Sequence, residues 1–407
     1  MNLFQSIVLA IFALFAVTAV IIFSMQSSGG GQLNFAGTFT VWGTFPEQSV
    51  SRAEKAFNDE NKKFYNIKYV EKSKQTFQGD LVSALAAGNG PDLIILPESL
   101  VVQNIDKTIP IAYSDYSARN FSDGFIDGSS IFTNDQGILG IPLLVAGKLT
   151  LSDRGGSISQ AAVALGSYSN VDHAKDILSA LLLQAGNDIV TFKSSSAYDL
   201  VDTKWPLSIL LGQHDSGAAE SSLNFFLDFT NPSKKSYSWN VAMPISDSAF
   251  SGGSLAIFFG HASDFGLIKK SNPHLNFGVA EFPQRNINNK KLTFGNFYAV
   301  AVTKGTTKIS AAKQVAISMS TSDFVKLLSE DVYLPPARRD LLTLGSLDPA
   351  MSVFYSSAII SKSWLDPSPP ETDQIFQEMI ESVLSGVKKP SEAISVAGEK
   401  LGNLIKS

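Results

Sequence analysis

Phe77 to Leu96 reads FQGDLVSALAAGNGPDLIIL, and the order of its parts decides the fold class. Phe77 to Ala87 predicts a helix that stops at Gly88, where a left-handed C-terminal residue is easiest for glycine. After the Asn89-Gly90-Pro91 turn, Asp92 to Leu96 (DLIIL) runs almost wholly apolar, the pattern of a parallel strand covered on both faces. Upstream, Thr38 to Trp42 (TFTVW) and Asn66 to Val70 (NIKYV) predict strands, and between them Glu47 to Asn61 carries Val50, Ala53, Ala56 and Phe57 at the spacing of one helical face. The order β-α-β-α-β implies right-handed crossovers and a doubly wound α/β lobe.

Downstream the alternation continues. Helices are predicted at Ala174 to Gln184, Ser221 to Thr230 and Ile309 to Ser320, and two close the chain at Asp373 to Ser385 and Pro390 to Ile405. Strands are predicted around Ser254 to Phe259, at Phe277 to Phe282 (FGVAEF) and at Tyr298 to Thr303 (YAVAVT). No internal repeat is present. With 407 residues, 44% of them hydrophobic and 17% charged against a usual figure of about 25%, the chain can bury a large core and more than one of them. A net charge of -5 and no Lys/Arg run longer than two leave no basic face, which argues against nucleic acid as a partner. The absence of cysteine removes disulfides, thiolate catalysis and cysteine-based zinc sites. His173, His214, His261 and His274 form no i,i+4 pair and no HExxH, so their spacing marks no metal site.

The N-terminus has a different character. Met1 to Pro46 contains no charged side chain, and Ile7 to Phe23 reads IVLAIFALFAVTAVIIF. Such a run spans roughly 26 Å as a helix and, extended by Leu3, Phe4 and Met25, approaches the thickness of a bilayer core. It exceeds the core of a cleavable signal and is followed by no clear small-x-small site, which favours an uncleaved anchor over residues 1–25. Residues 26–34 have the composition of a flexible tether. A single-pass anchor with an extracytoplasmic domain is the expected arrangement.

Several motifs then occur in a telling order: Trp42-Gly43-Thr44-Phe45-Pro46-Glu47, Phe57-Asn58, Ala86-Ala87-Gly88-Asn89-Gly90-Pro91-Asp92-Leu93 and Gly140-Ile141-Pro142-Leu143. Gly253 to Gly260 (GSLAIFFG), Asn272 to Val279 (NPHLNFGV), Phe282-Pro283, Phe294-Gly295-Asn296-Phe297 and the tail from Trp364 through Pro367, Ile375-Phe376 and Met379-Ile380 follow. In this order, from Phe39 to Ile405, the chain resembles the extracellular solute-binding proteins of ABC importers, in the sugar-binding, maltose-binding-protein-like cluster. The resemblance implies a type II periplasmic-binding-protein-like α/β fold of two lobes, with a ligand clamped in the cleft between them when a hinge closes. Lobe one is expected over 35–137 plus 273–320 and lobe two over 138–272 plus 321–407, with crossovers near Gly140, Pro273 and Thr321. The implied partners are a small polar solute of carbohydrate type, permease subunits of an ABC importer, and the membrane; no cofactor and no metal are implied.

In open α/β sheets ligands lie beyond the carboxyl ends of strands. The residues there are aromatic or polar, as a sugar with one apolar ring face and many hydroxyls requires. Trp42, Thr44, Phe45 and Glu47 follow the first strand, and Glu98 follows the third. His261 and Asp264 follow the strand ending at Gly260, Asn296 and Phe297 precede YAVAV, and Trp239 stands in the polar stretch Lys234 to Asn240, while Trp364, followed by Asp366-Pro367, matches a position that the resemblance implies approaches the cleft. These ten residues other than Glu98 are the candidate ligand contacts. Each has a plainer role open to it. Trp42 fits a packing tryptophan, Glu47 a first-turn helix residue favoured by the dipole, Phe297 and Asn296 a strand start, and Asp92 a structural loop residue.

One departure stands out. After Gly140-Ile141-Pro142-Leu143 the family continues through a Tyr-Asn pair and a Pro-Thr-Trp helix start, whereas this chain passes from Ala146 to Gly156 without them. About thirty residues of the second lobe, one cleft-wall aromatic among them, are missing. Three function classes follow: a tethered solute-binding protein, an interaction or sensor module with a degraded cleft, and an extracellular hydrolase. The last has no G-x-S-x-G, no metal-ligand cluster and no acid pair marked by spacing, so a non-catalytic binding protein is the expectation.

Overall fold

The computed structural model describes residues 35–153, 161–192, 207–211, 216–285 and 291–406. The expected anchor and tether, 1–34, lie outside these residues; among the described ones no helix is long and apolar enough to cross a membrane.

The chain opens with β1 (Thr38–Gly43), α1 (Glu47–Asn61), β2 (Asn66–Glu71), α2 (Phe77–Ala86) and β3 (Leu93–Pro97). β1 lies parallel to both β2 and β3, as the β-α-β-α-β order requires. α1 buries Val50, Ala53 and Phe57 along one stripe, and Leu93 to Leu96 are all buried. Asp92 is a structural residue: its Oδ2 accepts the Thr40 main-chain N–H at 2.9 Å and ties the loop to β1.

There follow β4 (Ile141–Asp153), β5 (Ala161–Val163), α3 (Ala174–Gln184), α4 (Ser216–Leu227), β6 (Leu255–His261), α5 (Ala262–Ser271), β7 (Phe277–Glu281), β8 (Thr293–Thr303) and α6 (Ile309–Ser318). The chain ends with α7 (Ser322–Val332), α8 (Pro349–Ile359), β9 (Ser361–Lys362), α9 (Pro369–Leu384) and α10 (Pro390–Lys406). The main sheet runs β2-β1-β3-β8-β4-β6-β5, with β7 also on β4 and β9 on β8.

β4 belongs to both lobes. Its residues from Ile141 to Gly147 pair antiparallel with β8, while those from Lys148 onward pair with β6 and β7. The exchange of partners between Gly147 and Lys148 splits the sheet into two halves. One is built on β1–β3 and the other on β5–β7. Leu143, Leu144, Val145, Ala146, Leu149 and Leu151 of this strand are all buried.

Two lobe boundaries differ from those expected. β7 pairs with the second half of β4, so the return to the first lobe falls after Glu281 and not at Pro273. α7 remains with the first lobe beyond Thr321 because its apolar stripe of Phe324, Val325 and Leu328 meets α1. Phe324 and Phe57 stack edge to face at 5.8 Å, and Arg52 reaches Glu330 at 2.7 Å and Asp331 at 2.9 Å. β8 starts at Thr293, earlier than the YAVAV run suggests, because Thr293 and Phe294 pair with β9 and Gly295 to Phe297 with β4.

Gly147 and Gly295 face each other across the two crossing strands, against buried Ser361. A Cβ on Gly295 would stand 2.6 Å from Ser361 Oγ and 2.7 Å from its Cβ, inside van der Waals contact. Gly295→Ala is therefore expected to destabilise the protein by roughly 1–3 kcal/mol through overpacking, read as a lowered urea midpoint at unchanged slope; an unshifted midpoint would show that the strands separate freely.

Candidate functional site

Between the lobes lies a cleft of about 630 Å³. Its first-lobe wall is made by Thr44 beyond β1, Lys74 and Phe77 at the start of α2, and Glu98, Ser99 and Leu100 beyond β3. Its second-lobe wall is made by Tyr168 to Asp176 leading into α3, with Trp364, Asp366 and Asp373, while Phe294, Asn296 and Tyr298 of β8 also line it. The site thus sits at the carboxyl ends of β1 and β3, where open α/β sheets expose their loops.

Buried charge dominates the second-lobe wall. Lys175 Nζ lies 3.1 Å from Asp366, 2.6 Å from Asp373 and 3.2 Å from the Thr372 hydroxyl. Burial works against its charge, but the two carboxylates outweigh that and hold its pKa above the ordinary lysine value. The Trp364 indole donates to Ser179 Oγ at 3.1 Å and its ring stacks on Phe376 at 6.0 Å, which fixes the ring orientation.

Glu98, only 2% exposed, ties the end of β3 to β8 and to Ser363. Its Oε2 accepts the Phe297 N–H at 2.6 Å and its Oε1 the Ser363 hydroxyl at 3.2 Å. Burial pushes its pKa up to about 8, against the pull of these donors.

Beside it His173, Asp176, His261 and Asp264 form a compact group. Asp176 Oδ2 is 2.8 Å from His261 Nε2, and Asp264 Oδ2 is 2.9 Å from His173 Nε2. Asp264 also caps α5 by accepting the His261 main-chain N–H at 2.7 Å. Burial would raise Asp176 and Asp264, but the imidazole hydrogen bonds prevail and hold both well below the usual carboxylate range. Burial and the Lys148 charge push His261 down. Lys148 is fully buried, and burial lowers its pKa to about 8. His173 takes a left-handed backbone conformation, φ 59°, to enter α3.

The candidates from sequence divide. Thr44, Asn296 and Trp364 line the cleft, and His261 and Asp264 stand in the charged group behind its wall. Trp42 does not line it: the ring is buried in the first lobe with Lys72 Nζ 3.8 Å above it. Phe45 is buried against Tyr298, ring centroids 5.0 Å apart. Glu47 is exposed in the first turn of α1. Phe297 is fully buried and presents its main-chain N–H to Glu98. Trp239 lies in the second-lobe core, 1% exposed, away from the cleft. Sequence reasoning passed over Tyr168, His173, Lys175, Asp176, Asp366 and Asp373. The signal was the charged entry to α3, Asp172-His173-Ala174-Lys175-Asp176, since charge placed ahead of a buried helix demands partners.

No protein-family model matches the chain, and no curated protein matches it by sequence. Solved structures share its fold. A cyclo/maltodextrin-binding protein complexed with maltotetraose aligns with a TM-score of 0.71 at 14% identity, covering 91% of this chain and 97% of that one. The cyclic alpha-maltosyl-1,6-maltose binding protein of Arthrobacter globiformis gives 0.71 at 15% identity over 91% and 99%. The maltose-binding periplasmic protein of Listeria monocytogenes in complex with maltose gives 0.68 at 15% over 90% and 97%. The fold is therefore the mixed α/β, two-lobed fold of solute-binding proteins.

Glu98 yields a pH signature. Its folded pKa of about 8 lies above the ordinary 4.5, so the folded state holds the proton more tightly. That contribution is complete below the unfolded value and is lost as pH rises toward the folded one. Glu98→Gln mimics the protonated acid. It should leave stability near pH 4 little changed and raise it relative to wild type by a few kcal/mol near pH 8, as judged by denaturant midpoints; parallel profiles would show an ionised Glu98.

Proposed function

We propose that this chain is a non-catalytic solute-binding protein that captures a carbohydrate between its lobes by hinge closure and delivers it to an ABC importer, tethered to the outer face of the membrane by residues 1–25. The cleft carries the reading. It combines the partly exposed rings of Tyr168 and Tyr298 with amide, hydroxyl and charged groups at Asn296, Thr44, Ser99 and Lys74, the pairing that a sugar ring with polar rim requires. It sits where two lobes that share the long strand β4 can close on a ligand, and structures of the same fold hold maltose and maltotetraose. The charge-free, apolar N-terminal segment and the glycine-serine tether support an anchored, extracytoplasmic placement.

Thermal unfolding of the full chain in mild detergent against mono- and oligosaccharides, polyols and amino acids tests the reading. A ligand at about a hundred times its dissociation constant adds roughly 2.7 kcal/mol to the folded state, a shift of a few degrees. A selective shift with one saccharide class is expected, and Tyr168→Ala, altering a half-buried ring on the wall, should weaken that binding about tenfold, near 1.4 kcal/mol. A cooperatively unfolding chain that responds to no solute would instead favour an interaction module whose cleft has lost its ligand.

A further inference from the structure

His173 and His261 reach the second-lobe wall from different elements, yet their rings meet edge to face with centroids 4.7 Å apart. Asp176, in the first turn of α3, lies against both: its Oδ2 is 2.8 Å from His261 Nε2 and 4.0 Å from His173 Nδ1. The other nitrogen of each ring is held from outside this trio. His261 Nδ1 donates to the Ala146 carbonyl at 3.1 Å, and His173 Nε2 donates to Asp264 at 2.9 Å. A carbonyl and an ionised carboxylate only accept, so these outer nitrogens carry the hydrogens.

A neutral imidazole carries one hydrogen. The inner nitrogens, His261 Nε2 and His173 Nδ1, face the Asp176 carboxylate, where either a shared proton or a cation can sit. The three potential ligand atoms lie within 4.8 Å of one another. The His261 ring is 2% exposed and stands opposite Lys148 in the sheet register, which shields the trio from solvent on that side. A metal cation among the three would take the place of the proton shared by His261 and Asp176. Ligating histidines ordinarily give their outer N–H to a carbonyl or carboxylate in this way, which fixes tautomer and ring direction.

We propose that His173 Nδ1, His261 Nε2 and Asp176 Oδ2 form a site for a divalent transition-metal cation of the zinc or cobalt class in the second-lobe wall of the cleft. Two imidazoles and one carboxylate suit borderline cations better than calcium or magnesium, which prefer all-oxygen shells. The site opens to the cleft through His173 and Asp176, both of which line it. Lys148 Nζ, buried and without a hydrogen-bond partner among the described residues, is the resident counter-charge of Asp176 and Asp264 and competes with the cation. The site stands apart from the saccharide reading and needs no solute.

The test uses the full chain in detergent, stripped with a chelator and titrated with Zn2+ by calorimetry and with Co2+ by visible absorption. One equivalent is expected to bind at micromolar or tighter affinity. His173→Ala, at a partly exposed position, and Asp176→Asn should each weaken binding by about tenfold or more. Lys148→Met keeps all three donors and should bind one equivalent at least as tightly as wild type. No saturation by millimolar Co2+, saturation unchanged in both donor variants, or loss of binding in Lys148→Met would each overturn the site.

Discussion

The rest of the structure depends on β4 being shared by two half-sheets. A strand buried on both faces must have every main-chain donor and acceptor paired, and β4 meets that demand by changing neighbours between Gly147 and Lys148. The change fixes its surroundings. Gly147 must be small because β9 and α8 approach there, with Ser361 and Ser357 atoms 3.0 and 3.1 Å from where a Cβ would stand. The Ala146 carbonyl orients His261, and Lys148 is set directly across from the same histidine. The pivot between the lobes and the charged group behind the cleft wall are therefore one piece of architecture.

What was legible in the sequence was whatever local periodicity or apolar runs specify. α1 and α3 fall where their stripes place them, and β1 to β3 deviate by a residue or so, because those segments bury faces that their own spacing defines. The lobe boundaries were not legible. Nothing local in Phe277 to Glu281 says which half of β4 it will pair with, and nothing in Ser322 to Val332 says that Phe324 will meet Phe57. For the site, strand-end reasoning led to Thr44 and Asn296, since position relative to a parallel strand is a topological property. It misplaced Trp42 and Trp239, because a large aromatic ring is as readily used to fill a core, and polar neighbours in sequence do not expose Trp239. The His173, Asp176 and His261 constellation was invisible to spacing rules, which detect ligands on one helix face and not ligands assembled from a helix start and a distant strand end.

Burying Glu98, Lys148, Asp176 and Asp366 is costly, since each charge leaves water for a medium where it must find a partner. A fold under selection for stability alone could replace such groups with apolar residues of similar volume. Here Glu98 lines one wall of the cleft and Asp176 and Asp366 the other, with Lys148 behind them, while the apolar cavity of about 530 Å³ lined by Leu181, Phe225, Phe259 and Phe282 carries little charge. The contrast assigns the two cavities different roles. The apolar one offers a sugar fewer polar groups, set among a mostly apolar lining. In the cleft, Lys175 and Trp364 are already held in fixed directions by Asp366, Asp373 and Ser179, so a polar ligand meets groups whose ordering cost was met on folding. The buried Glu98 carboxyl bonds Phe297 of β8 on one side and Ser363 on the other, so it ties the end of β3 to two separate segments of the cleft lining. The protonation of that carboxyl then bears on how stably those segments are held together.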